Sequence, residues 1–64
     1  MYFTATADNG QRKVKENLDN FNELQEFMNK VEQRGFLNVD VIASDNNGTV
    51  KTINYKFDGQ QWQK

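Results

Sequence analysis

The chain has 64 residues, a formal net charge of −1, and no cysteine, histidine or proline. This composition excludes disulfides, thiolate metal sites and catalysis by a cysteine or histidine. A chain this short lies near the lower limit for independent folding, and binding a second copy would stabilise it. We therefore expect one small domain that is either a monomer of low stability or a homodimer.

The first two predicted elements form a β-hairpin. Strand 1–7 alternates apolar and polar residues, whereas strand 11–17 is polar, as edge strands often are. Asn9–Gly10 between them is the preferred composition of a two-residue type I′ turn. This turn would place Ala5 opposite Val14.

The third predicted element is an amphipathic helix over residues 20–34. Its apolar residues recur at spacings of three and four, which places them on one helical face. Phe27 lies on the flank of this face, where we expect it to be half exposed. The apolar face consists of Phe21, Leu24, Met28 and Val31.

Both ends of this helix carry capping signals. Asn20 is a favourable N-cap residue, and Glu23 is placed to reach back toward the preceding backbone. Gly35 suits the left-handed position that ends many helices. Phe36 then lies where a Schellman motif places an apolar contact with Val31.

After the helix the apolar period changes to two, which predicts strands over 36–44 and 49–57. A three-residue loop, 46–48, pairs Val41 with Ile53, whereas two- and four-residue loops mix the two faces. A slip of one residue would move every side chain of the strand to the opposite face of the sheet. The match of apolar residues therefore favours the three-residue loop. We expect a type I turn followed by a left-handed glycine in a G1 bulge.

A short fifth strand over 60–63 is also compatible with the sequence. An Asp58–Gly59 turn would place Trp62 opposite Tyr55. This aromatic pair could stack on a sugar or a peptide. We expect instead that the two rings close the open end of the core, with the indole N–H donating to a carbonyl.

These elements predict an α+β fold of the order ββαββ, or ββαβββ if the tail pairs. One helix would lie across one face of a largely antiparallel sheet of four or five strands. The order of elements resembles the β-grasp arrangement, in which a diagonal helix links two hairpins. This resemblance concerns topology alone and implies no function.

The helix-free sheet face is the predicted interaction surface. We expect it to bind a protein partner or a second copy of the chain, while the sheet edges could instead accept a strand from another protein. Its candidate contact residues are Tyr2, Thr4, Ile42, Val50 and Thr52.

The alternative function is weak binding of nucleic acid through the basic hairpin. Arg12, Lys13 and Lys15 could contact phosphates, although a chain of net charge −1 lacks the usual basic surface. The interpretation that we favour is that these cations prevent the edge strand from pairing with strands of other chains.

Enzymatic and metal functions have little support in the sequence. Ser44 is the only serine, and the chain has no histidine to activate it. The segment 45–49 lacks the regularly spaced acids of a calcium loop. We predict a non-enzymatic protein with no cofactor and no metal.

The predicted location is the cytoplasm. No apolar run approaches the ~18 residues that cross a bilayer, and the first ten residues lack a signal-peptide pattern. Size and composition also suggest an accessory protein of a phage or another mobile element.

Overall fold

The computed structural model describes residues 1–48 and 50–64, which form one helix and a five-stranded antiparallel sheet. The predicted α+β class is confirmed, and the tail forms the fifth strand. The β-grasp resemblance stays a prediction from element order. The elements are β1 (Tyr2–Asp8), β2 (Lys13–Leu18), α1 (Phe21–Gln33), β3 (Asn38–Ser44), β4 (Val50–Phe57) and β5 (Trp62–Gln63).

The sheet order is β2-β1-β3-β4-β5, and the helix packs mainly against β1 and β2. Alanines on the inner face of β1 leave room for the helix to approach the sheet closely. Because the helix lies to one side, the inner face of β4 is less covered than that of β1. Accordingly, Ile53 and Tyr55 are only partly buried, whereas Ala5 and Ala7 are fully buried.

The helix N-terminus has the predicted cap. The Asn20 side-chain oxygen accepts from the Glu23 amide at 2.9 Å. The Glu23 carboxylate in turn accepts from the Asp19 amide at 3.2 Å, one residue earlier than in a standard capping box. Two otherwise unpaired backbone donors are satisfied in this way.

The helix C-terminus is a Schellman motif, as predicted. The Phe36 amide donates to the Val31 carbonyl at 2.9 Å, and the Gly35 amide donates to the Glu32 carbonyl at 3.0 Å. Gly35 has φ +88°, the left-handed conformation that this motif requires. Phe36 and Val31 are both buried in the core.

The prediction for two phenylalanines of the helix was wrong. Phe27 is buried, whereas Phe21 is 53% exposed and touches the core through a tilted contact with Phe3, with ring centroids 6.4 Å apart. The reason is the position of the helix over β1 and β2. This position turns Phe27 into the core and leaves Phe21 at the open side.

The central hairpin has the predicted register. The Gly48 amide donates to the Asp45 carbonyl at 3.2 Å, and Gly48 has φ +82°. Thr49, the predicted first residue of the fourth strand, lies outside the described residues. The apolar pairs are Val39–Tyr55 and Val41–Ile53.

The predicted register of the first hairpin was wrong by two residues. Val14 pairs with Ala7 rather than with Ala5, and Leu18 pairs with Phe3. A slip of two keeps every side chain on its predicted face. It also brings the large side chains of Phe3 and Leu18 together, and both are buried.

The turn explains this slip. The Asn9 side chain accepts from the amides of Gln11 and Arg12 at 2.9 and 2.7 Å, so it precedes the loop instead of forming part of it. Gly10 alone supplies the positive φ, +88°. A type I′ turn at residues 9–10 would have required a positive φ at Asn9 as well, whereas every described residue with a positive φ is a glycine.

The turn between β4 and β5 repeats this arrangement, and the predicted pairing of Trp62 with Tyr55 was therefore also wrong. The Asp58 carboxylate accepts from the amides of Gln60 and Gln61, both at 2.8 Å. The loop thus begins one residue later than predicted, and Trp62 pairs with Phe57.

The Asp58 turn should make the stability of the β4–β5 hairpin depend on pH. Hydrogen bonds from the Gln61 and Gln60 amides and from the Gln63 side chain lower the Asp58 pKa below its ordinary value of 3.8. The hairpin is therefore fully stabilised by this carboxylate above pH 3.8, the ordinary pKa of the group. The stabilisation is lost as the pH falls through the lower pKa of the folded state. Asp58→Asn should remove this acid-dependent loss, as followed by amide exchange of Gln60 and Gln61 across that range. An unchanged pH dependence in the variant would contradict this assignment.

Candidate functional site

The helix-free face of the sheet carries an exposed apolar corner. Tyr2 and Val50 both pair with Ser44, and Ile42 lies two residues from Ser44 on the same face of β3. Tyr2, Ile42 and Val50 are 56%, 43% and 60% exposed. The three predicted apolar contact residues therefore lie together across β1, β3 and β4.

The predicted threonines flank Ile42 on either side. Thr4 and Thr52 are its direct cross-strand partners on β1 and β4. The Thr4 hydroxyl lies 3.2 Å from the Asn17 side-chain oxygen of β2. The five predicted contact residues thus form one continuous surface.

A polar array of Asn38, Asp40 and Asn54 lies on the same face. The Asn54 side-chain amide donates to the side-chain oxygens of Asn38 and Asp40 at 3.0 and 2.6 Å. These bonds hold side chains of β3 and β4 in fixed positions and so limit the entropy lost on binding. The face therefore offers an apolar corner beside a preformed polar surface.

The basic hairpin is divided between the two sides of the sheet. Lys13 and Lys15 alternate with inward-facing Val14 and lie on the helix-free face. Arg12 instead lines a hollow on the other side, together with Arg34 and Phe36. Because successive side chains of a strand point to opposite faces, the three predicted cations do not converge on one phosphate backbone.

A second uncovered surface lies on the helix side of the sheet, where sequence analysis expected a closed core. Two adjoining hollows share Phe21 and Tyr55, and we call them together the aromatic groove. Its floor is the inner face of β4 and β5, which the displaced helix leaves open. Its other lining residues include Met1, Gln25, Lys51, Ile53, Trp62 and Lys64.

Trp62 is the least satisfied side chain of this groove. Its ring meets Phe57 nearly edge-on, with centroids 5.3 Å apart and an interplanar angle of 63°. Its indole Nε1 is buried and has no acceptor among the residues that the structure describes. The predicted bond from the indole to a carbonyl was therefore wrong. A buried donor without a partner is unfavourable.

Within residues 1–48 and 50–64, no group of three acidic, histidine or cysteine residues could hold a metal ion. No helix in the same residues is long and apolar enough to span a membrane.

Comparisons with protein-family models, with curated proteins and with solved structures found no match to this chain. The geometry defines a small α+β domain that leaves two surfaces uncovered. One is the helix-free sheet face with its apolar corner, and the other is the aromatic groove.

Proposed function

We propose that this protein is a non-enzymatic interaction protein whose helix-free sheet face binds a second copy of the chain. The observation that carries the proposal is the apolar corner of Tyr2, Ile42 and Val50. Burying exposed apolar surface is the main favourable term in protein association. These side chains extend from three neighbouring strands, so a flat partner contacts them simultaneously.

A second copy is favoured over another protein by two features. Twelve of the described residues form the buried core and three of them are alanines, so a domain of this size gains stability from an interface. In a twofold dimer both subunits present the same patch. The apolar corner of one subunit then meets that of its partner, while the polar array forms the rim. An origin in a phage or another mobile element remains a hypothesis from size and composition.

The test is the oligomeric state across a wide concentration range, measured by light scattering. We expect a dimer whose dissociation constant rises about tenfold or more in Ile42→Lys, since the variant places a charge in the interface. Far-UV circular dichroism should show an unchanged helix.

Leu37→Lys is the matched control. Leu37 is 48% exposed and lies just before β3, so it receives the same chemical change outside the corner. The control should dimerise as the wild type does. A monomeric wild type would overturn the homodimer, and a dimer insensitive to Ile42→Lys would place the interface elsewhere.

A further inference from the structure

The two hollows of the aromatic groove differ in charge. The larger hollow, about 390 Å³ in volume, lies between the helix and the sheet at β4 and β5. This volume is within the range of small-molecule binding sites. The charged residues of the groove, Asp45, Lys51 and Lys64, line the smaller hollow instead. The larger hollow is lined by uncharged residues, which are Phe21, Gln25, Met28, Asn29, Tyr55 and Trp62.

Three aromatic rings provide the apolar surface of the larger hollow. Phe21 packs against Phe3, and Trp62 packs nearly edge-on against Phe57. Tyr55 and Trp62 are partly buried, and Phe21 is 53% exposed, so each ring is held by the domain while part of it stays open. The faces of aromatic rings are weakly negative and attract the weakly positive hydrogens of C–H groups. The hollow therefore suits a ligand with a flat C–H surface.

Four polar groups of the larger hollow have no partner in the described chain. Gln25 and Asn29 are exposed and lie one turn apart on the same face of the helix. Their side-chain amides and the Tyr55 hydroxyl make no hydrogen bond within residues 1–48 and 50–64. The fourth group is the buried Nε1 of Trp62. An occupant therefore has to offer several donors and acceptors, and these have to face both the helix and the sheet.

These properties together select an uncharged ring that carries hydroxyl groups around its edge. An apolar side chain would cover the aromatic rings, but it would take the two amides out of water without giving them partners. A nucleobase would stack on the rings, but its polar groups lie in one plane, whereas those of the hollow come from two opposite walls. A pyranose with equatorial hydroxyls meets both requirements. Its axial C–H groups cover an aromatic face, and its hydroxyls donate and accept in several directions.

We propose that the larger hollow of the aromatic groove binds the pyranose ring of an uncharged carbohydrate. The ring lies against the aromatic side chains, and its hydroxyls form hydrogen bonds with the amides of Gln25 and Asn29 and with the Tyr55 hydroxyl. A sugar oxygen beside Trp62 supplies the acceptor that the indole lacks. The hollow and the proposed dimer interface lie on opposite sides of the sheet, so either proposal can fail without the other.

The experiment titrates the intact protein with methyl β-D-glucopyranoside, whose hydroxyls are all equatorial, and follows the binding by heteronuclear NMR. We expect a saturable dissociation constant on the order of 1 mM, as for a good ligand of this size. The side-chain amides of Gln25 and Asn29 should shift, as should the indole N–H of Trp62, the only tryptophan. Gln25→Leu should weaken binding about fivefold to tenfold, because it removes the amide but preserves the helix. Gln33→Leu is the matched control and should bind as the wild type does, since Gln33 is exposed on the same helix but lines neither hollow.

Two control ligands separate sugar recognition from simple burial of a ring. Cyclohexanol has a six-membered ring with a single hydroxyl, and adenosine presents an aromatic base. Both should bind at least about tenfold more weakly than the glucoside. Equal binding by either control, unchanged affinity in Gln25→Leu, or no saturable shift up to about 50 mM glucoside would overturn the proposal. It is also overturned if dilution of the protein alone moves the same signals, because a second copy then occupies the hollow.

Discussion

Leu24→Ala is expected to lower the free energy of unfolding by about 3 kcal/mol, within the range for deleting a buried leucine side chain. Leu24 is 1% exposed and lies in the core between the helix and the sheet. A domain of this size rarely has more than about 3–5 kcal/mol of stability. The variant should therefore keep no more than about 2 kcal/mol of stability and be partly unfolded at room temperature. Urea denaturation followed by far-UV circular dichroism measures the loss.

Phe21→Ala is the control for this change. Both residues belong to the apolar face that the sequence predicts, but Phe21 is half exposed and touches the core mainly through Phe3. The control should lose less than about 1 kcal/mol, because most of its ring surface is already in water. Equal losses in the two variants would show that the helix packs further toward β4 than described.

The helix and its ends were predictable because their signals are local. Asn20, Glu23 and Gly35 act on backbone groups within a few residues, and the structure uses all three. The rotation of the helix on the sheet was not predictable, because tertiary packing determines it. The exchange of burial between Phe21 and Phe27 is the consequence.

Strand registers were predictable where apolar pairs could discriminate between alternatives. In the central hairpin only one loop length matched Val41 with Ile53, and this pairing is present. In the first hairpin the true register differs from the predicted one by two residues, which leaves the same faces inward and outward. The pattern could not distinguish the two. The deciding interactions are the hydrogen bonds that the Asn9 side-chain oxygen accepts from the amides of Gln11 and Arg12.

The two candidate surfaces also differ in whether they could be predicted from the sequence. Tyr2, Ile42 and Val50 could be placed on the helix-free face because strand alternation determines the face of each residue. The aromatic groove was missed, since it exists only because the helix lies over β1 and β2. The pairing of Trp62 with Phe57, which follows from the Asp58 turn, also places the indole there.

Gly35→Val is expected to lower the free energy of unfolding by about 2 kcal/mol, within the range for a non-glycine residue held in the left-handed region. Gly35 has φ +88°, which a β-branched residue adopts only with strain. A Cβ at this position would meet no other heavy atom of the described chain within 4 Å. The loss would therefore come from the backbone conformation and not from a steric clash.

Gly35→Asn is the matched variant, because asparagine tolerates the left-handed conformation better than valine does. It should lose less than about 1 kcal/mol and keep the bonds from Phe36 to Val31 and from Gly35 to Glu32. Urea denaturation gives the stabilities, and hydrogen exchange of the two amides reports whether the Schellman motif persists. If valine and asparagine were equally tolerated, the helix would end by another route. Gly35 would then not be needed to direct the chain from the helix into β3. The position of Ile42 on the proposed interface would likewise not depend on this glycine.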